Sequence, residues 1–278
     1  MALVLYLLLA GTVELGRATF AVQAIEDCAR VAARELALLP LPPAATTDDA
    51  LMAGLGRVYD PDLLVIKLDE DRFSTDFSEA LVNDDGVLDG EQLDDLFGRF
   101  PIVNQALRPL YVFHLVDLGS GPERLLRYPG AVVNSLTSPT GLSVMIPLVS
   151  YAAGGEEVVA WLRVVEPAAP ANDPFPVANG GLVALRVHYP FQAAALSGYR
   201  DVSGPLDPNL DGRIQADGLV DNTGATPNLA VADTGAEVGT YAGAHGLGIQ
   251  LAYGERLRPF RRVQTAQAVF RREVFGSP

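Results

Sequence analysis

The sequence predicts an α+β protein: a long N-terminal helix, lipid-soluble at first and then amphipathic, followed by an antiparallel β-sheet domain with short helices. Three observations predict it. No proline interrupts residues 1–39. Two downstream runs, VVAWLRVV (158–165) and LVALRVHY (182–189), alternate apolar residues with Arg163 or Arg186, as half-exposed antiparallel strands do. Stretches rich in turn-forming residues, at 119–130, 167–181 and 199–246, separate runs of this kind.

Composition sets the frame for each element. Of 278 residues, 49% are hydrophobic and 19% charged, which is ample for a folded core. The net charge of −14 argues against nucleic acid as the main partner, because a polyanion repels an acidic surface. Cys28 is the single cysteine, so an intramolecular disulfide and a cysteine-rich zinc site are excluded. Three histidines (His114, His188, His245) leave few means of acid–base or metal chemistry.

The first element, residues 1–39, is read as one helix with two characters. Residues 1–13 carry no charge, and as a helix they reach roughly 20 Å, less than the ~30 Å hydrocarbon core of a bilayer. From Glu14 onward the pattern is amphipathic. Phe20, Ala24, Ile25, Cys28 and Val31 recur at three- and four-residue steps and form an apolar packing stripe. Glu14 and Arg17 stand where the uncharged run ends. A carboxylate there is costly in lipid, so Glu14 either marks the membrane–water boundary or pairs with Arg17 or Arg34 of a neighbouring helix. Cys28 is expected to pack as a small hydrophobe.

Pro40, Pro42 and Pro43 stop the helix, and residues 40–50 read as a proline-rich linker. Residues 51–278 form the α+β domain. Its strand candidates are Leu63–Leu68, Leu110–Leu118, Leu142–Tyr151, Glu157–Val165, Leu182–Tyr189, Gly248–Tyr253 and Ala266–Phe275, with short helices around Asp49–Arg57 and Glu91–Phe97. No fixed-period repeat is present. Between Gly254 and Phe275 six arginines face two glutamates. This basic strip suits an exposed edge that resists unwanted pairing, or a surface for an acidic neighbour or anionic headgroups.

The N-terminal forty residues carry a family resemblance. Glu14-Leu15-Gly16-Arg17, then Gln23-Ala24, Ala29-Arg30 and Ala33-Arg34, resemble the N-terminal region of TadE-like proteins, the pseudopilin-type components of tight-adherence pilus systems. Leu185–Phe191 (LRVHYPF) is a fainter echo of a segment many members carry. Family members carry a basic, glycine-ending leader and a glutamate at the fifth mature position, whereas Leu5 stands at residue 5 here. The expectation is a natural start upstream of Met1. The resemblance implies a non-enzymatic subunit whose partners are other pilin-like subunits, pilus-assembly proteins and membrane lipid. Its expected place is the inner membrane with an extracytoplasmic domain, or an extracellular filament.

One motif suggests a ligand. Asp207, Asn209, Asp211, Gly212, the Arg213 carbonyl and Ile214 follow the first eight positions of a calcium loop, in which oxygens at positions 1, 3 and 5 converge and glycine makes the turn. Gly218 stands where the bidentate glutamate belongs, and Asp217 is one residue early. The expected cofactor is therefore a weakly bound Ca²⁺, and the alternative function is an exported, membrane-tethered binding module with a calcium-stabilised loop. Residues 83–91 look like a degraded copy. Nucleophile-elbow, zincin, dithiol and P-loop motifs do not occur in the sequence, and no enzyme is expected.

Overall fold

A computed structural model describes residues 2–68, 90–117, 122–134, 142–151, 157–192, 200–201, 250–252, 255–258 and 261–273. The fold is α+β, with one long helix followed by antiparallel sheets and short helices.

Helix α1 spans Ala2–Ala37. It ends just ahead of the prolines, and the C-terminal strand of the domain holds its end. The Glu273 N–H donates to the Ala37 carbonyl at 3.0 Å. The buried Arg272 guanidinium donates to the carbonyls of Leu41 and Pro42 and lies 4.4 Å from the Phe175 ring centroid. A charged donor that satisfies two carbonyls just beyond the helix makes strong, charge-assisted hydrogen bonds, so the corner 38–43 is strapped to the body. Helix α2, Thr47–Ala53, begins inside the segment read as a linker. Thr46 and Asp49 form a reciprocal capping box. The Thr47 N–H and hydroxyl both donate to the Asp173 carboxylate, each at 2.6 Å, which ties α2 to the far half of the chain.

The run 63–68 splits into two parts. Asp60 caps a 3₁₀ turn at Pro61–Leu64, because proline suits the first turn of a helix, and strand β1 follows at Val65–Lys67. Helix α3 covers Gly90–Gly98. Helix α4, Ile102–Leu107, was not foreseen; it buries Val103, Asn104 and Leu107. Asn104 earns its place by closing a pair of hydrogen bonds with the backbone of Asp60, at 2.9 and 2.8 Å.

Strand β2, Val112–Asp117, pairs with β3, Pro122–Arg127, which also pairs with β1. The expectation of turns throughout 119–130 is thereby corrected. The polar start of β3 hides the strand, but Leu125 and Leu126 are buried between two partner strands. Strands β4 (Ala131–Asn134), β5 (Leu142–Tyr151) and β6 (Glu157–Arg163) form a second sheet in the order β4-β5-β6. Gly130, at φ +150°, leads into it. A Cβ there would lie 2.7 Å from Val144 Cγ1 and 2.8 Å from the Met145 carbonyl oxygen, so only glycine lets β4 approach β5.

The sheet that positions α1 comprises β7 (Val165–Pro167), β8 (Leu182–Gln192) and β12 (Arg261–Arg271), with β8 central. β8 and β12 pair over their full length, from Arg261↔Gln192 to Arg271↔Leu182. The C-terminal strand thus begins five residues before the expected Ala266, since the polar run VQTAQ alternates in register with β8. Pro190 is tolerated because β7 pairs only as far as Val187, leaving no ladder bond for it to break. The remaining small sheet joins β9 (Arg200–Asp201), β10 (Gln250–Ala252) and β11 (Glu255–Arg258) in the order β10-β11-β9.

The main core lies between α1, α4 and the β7–β8–β12 sheet. It contains Ile25, Cys28, Ala32 and Leu36 from the helix, Val103 and Leu107 from α4, and Leu185, Val187 and Ala268 from the sheet. An aromatic ladder carries packing across the domain, from Phe97 to Tyr111 to Tyr128 to Tyr189 at centroid spacings of 5.2, 6.1 and 6.0 Å. These are edge-on contacts, the arrangement ring quadrupoles favour.

Candidate functional site

Helix α1 divides into two lengths with opposite surroundings. From Ala21 to Ala37 its small and branched apolar residues are buried on the domain, with Ala21, Ile25, Cys28, Ala29, Ala32, Ala33 and Leu36 at 2% exposure or less. Four alanines let helix and sheet backbones approach closely. From Leu3 to Leu9 every residue is exposed, with Leu3 at 71% and Leu5 at 73%. This length is apolar all round, which in water has no favourable partner. The helix is long and apolar enough to cross a membrane, by length and composition.

The junction carries the charged residues that stand at the end of the uncharged run. Glu14 is buried, and Arg17 Nη1 donates to its Oε1 at 3.0 Å within the same helix. This pair forms within one helix, whereas the sequence reading placed the partner on a neighbouring one. The Arg17 guanidinium also lies 5.8 Å from the Phe191 ring centroid, and Gln264 Nε2 donates to the Ala18 carbonyl at 3.5 Å. The ends of β8 and β12 therefore meet α1 where it leaves the body.

The residues expected to share one packing stripe separate here. Ile25 and Cys28 face the protein's own core. Ala24 packs at its margin, and Val31 is half-buried. Phe20 remains 52% exposed. The periodicity was visible in the sequence, but it could not say that the stripe from Ala21 onward is filled by the chain's own sheet. The calcium-loop residues Asp207, Asn209, Asp211, Arg213 and Asp217 lie outside the described residues, as do residues 83–89. Among the described residues, no three His, Cys, Asp or Glu side chains converge on one point.

No family model, curated protein sequence or solved structure matches this chain. Its own geometry must therefore carry the functional reading.

One polar cluster was missed by sequence reasoning. His188 is buried in β8, with Nε2 2.9 Å from Glu166 Oε1 and Nδ1 2.9 Å from Thr265 Oγ1. Its carbonyl accepts from the Tyr128 hydroxyl at 2.9 Å. The imidazole thus joins all three strands of the α1-bearing sheet, and the His188 carbonyl ties that sheet to Tyr128. Buried polar groups require such partners. The cluster serves as a cross-strand lock within the sheet that receives α1, on the face alternate to Val187 and Ala266, which pack in the core with the helix. Its residues are 22 and 77 positions apart in the chain, so no local motif could have announced it.

Proposed function

We propose that this chain is a non-enzymatic, TadE-like pilin- or pseudopilin-type subunit in pilus assembly or surface adhesion. Its N-terminal helix holds it in the inner membrane or in a filament, and its acidic domain projects from the membrane into the extracytoplasmic space or from the filament surface. The observation that carries the reading is the division of α1: one continuous helix, bare and apolar through Leu9 yet packed into a folded domain from Ala21. A purely internal core helix would have no reason to leave Leu3 to Leu9 uncovered. Lipid tails, or apolar stripes of neighbouring subunits, supply the missing contacts without requiring a hydrogen bond from the backbone. The Glu14-Leu15-Gly16-Arg17 step and the alanine–arginine stretch after it add the family resemblance.

Fractionation of the native host tests the proposal. The protein is expected in membranes resistant to alkaline carbonate extraction, or in the sheared surface-filament fraction, together with other pilin-like subunits. Recovery in the soluble fraction alone, without those partners, would sink it.

A further inference from the structure

We infer that the end of the domain from which α1 emerges is a basic collar that binds anionic phospholipid headgroups. The inference rests on the membrane reading above and adds a second, electrostatic contact to the apolar one.

The collar is assembled by strand register. Arg262 lies opposite Phe191 in the β12–β8 ladder, with Arg261 beside it opposite Gln192. Phe191 is the ring over which Arg17 stacks, so the first residues of β12 sit at the level where α1 leaves the body. Arg262 and Arg17 are both exposed. Only Pro259 and Phe260 separate β11 from β12, and three residues of extended chain span at most about 11 Å. That brings Arg258, the last residue of β11, near the same rim. Its cross-strand partner in β9 is Arg200. Register and chain connection thus place five arginines of a chain with net charge −14 towards one end, in elements that also carry Asp201, Glu255 and the Glu14 that pairs with Arg17.

Two features of this placement point to an anionic ligand. Like charges directly opposite each other in an antiparallel pair are destabilising, and Arg258↔Arg200 is such a pair. An anionic ligand at that edge offsets the like charges that the register brings opposite each other, and guanidinium groups suit phosphate oxygens. Position is the second feature. The exposed apolar length of α1 stops at this level, so a bilayer receiving that helix brings its headgroups to these arginines. Tyr189 and Phe191, half-buried at the same end of β8, are of the kind that settles at a membrane–water interface.

Vesicle flotation of the full-length chain, diluted from detergent, tests the assignment. Vesicles of phosphatidylcholine alone are compared with vesicles that also contain phosphatidylglycerol. Wild type is expected to favour the anionic vesicles about tenfold or more at low salt, given roughly 1 kcal/mol per basic residue at a charged surface. The preference should vanish near 1 M salt, where the Debye length is about 3 Å. An R258Q/R262Q double variant should lose it at low salt while still floating with neutral vesicles. Equal binding to both vesicles, or a preference that survives both salt and substitution, would overturn the collar. So would self-association without vesicles that the double variant abolishes, since the acidic body of a second copy would then be the occupant. Failure of wild type to float with neutral vesicles would count instead against the membrane helix. The two failures are read on different vesicles, and the salt titration needs no variant to fold.

Discussion

Tyr59 and Tyr128 stand where ionisation is most costly. Burial pushes both phenols well above the ordinary tyrosine range, and the Tyr128 hydroxyl must keep its proton to donate to the His188 carbonyl. In the unfolded chain both would ionise near pH 10. Stability is therefore unaffected by these groups below about pH 10, and falls above it as the unfolded state releases protons that the folded state retains. We expect alkaline denaturation melts to steepen in that range, and Tyr128→Phe to flatten part of that slope. The same substitution should cost about 1 kcal/mol at neutral pH for the lost hydrogen bond. A Tyr128→Phe variant with unchanged neutral stability and unchanged alkaline slope would contradict this account. Legibility at this scale depended on locality. The burial of Cys28 was readable from its place on a helical stripe. Tyr128 was not readable, because its partners His188 and Tyr189 lie 60 positions or so away and become neighbours only through the sheets.

Helix α1 behaves as two elements sharing one backbone, and substitutions should separate them. Ile25 is fully buried against the domain, so Ile25→Ala should lower domain stability by about 2–5 kcal/mol through lost contacts and a residual cavity. Leu5, 73% exposed, should tolerate Leu5→Asn within about 0.5 kcal/mol in chemical denaturation, while membrane association weakens. A large stability loss from Leu5→Asn would show that the apolar length belongs to the folded core. The sequence made α1 legible almost to the residue, because uninterrupted helical spacing ending in prolines admits few alternatives. Strand β5 was legible for a similar reason, being a long apolar run between turns. β3 and α4 were not. The start of β3 is polar and follows a glycine-rich stretch, and α4 is too short for periodicity to rise above its surroundings. Tertiary pairing with β1 and β2, and packing against α1, decide those two elements.

For the molecule as a whole, the separation of burial from exposure along α1 implies that the domain's stability and its attachment are independent. The main core draws on α1 from Ala21 to Ala37, on α4 and on the β7–β8–β12 sheet, and the far end of the helix is secured by Arg272 and Glu273. Nothing in that core comes from Leu3 to Leu9. A chain lacking residues 2–9 should thus fold to the same domain, with a thermal midpoint close to wild type, and remain in solution without detergent. It should lose binding to neutral vesicles while retaining a weaker, salt-sensitive affinity for anionic ones through the arginines at the base of the helix. Circular dichroism, thermal melts and flotation on the same preparation would decide the matter. A truncated chain that unfolds or aggregates would mean that the exposed leucines are covered by the protein itself, and the division of labour along α1 would have to be abandoned. If it folds but still binds neutral vesicles as tightly as wild type, the lipid-contacting surface lies elsewhere in the domain.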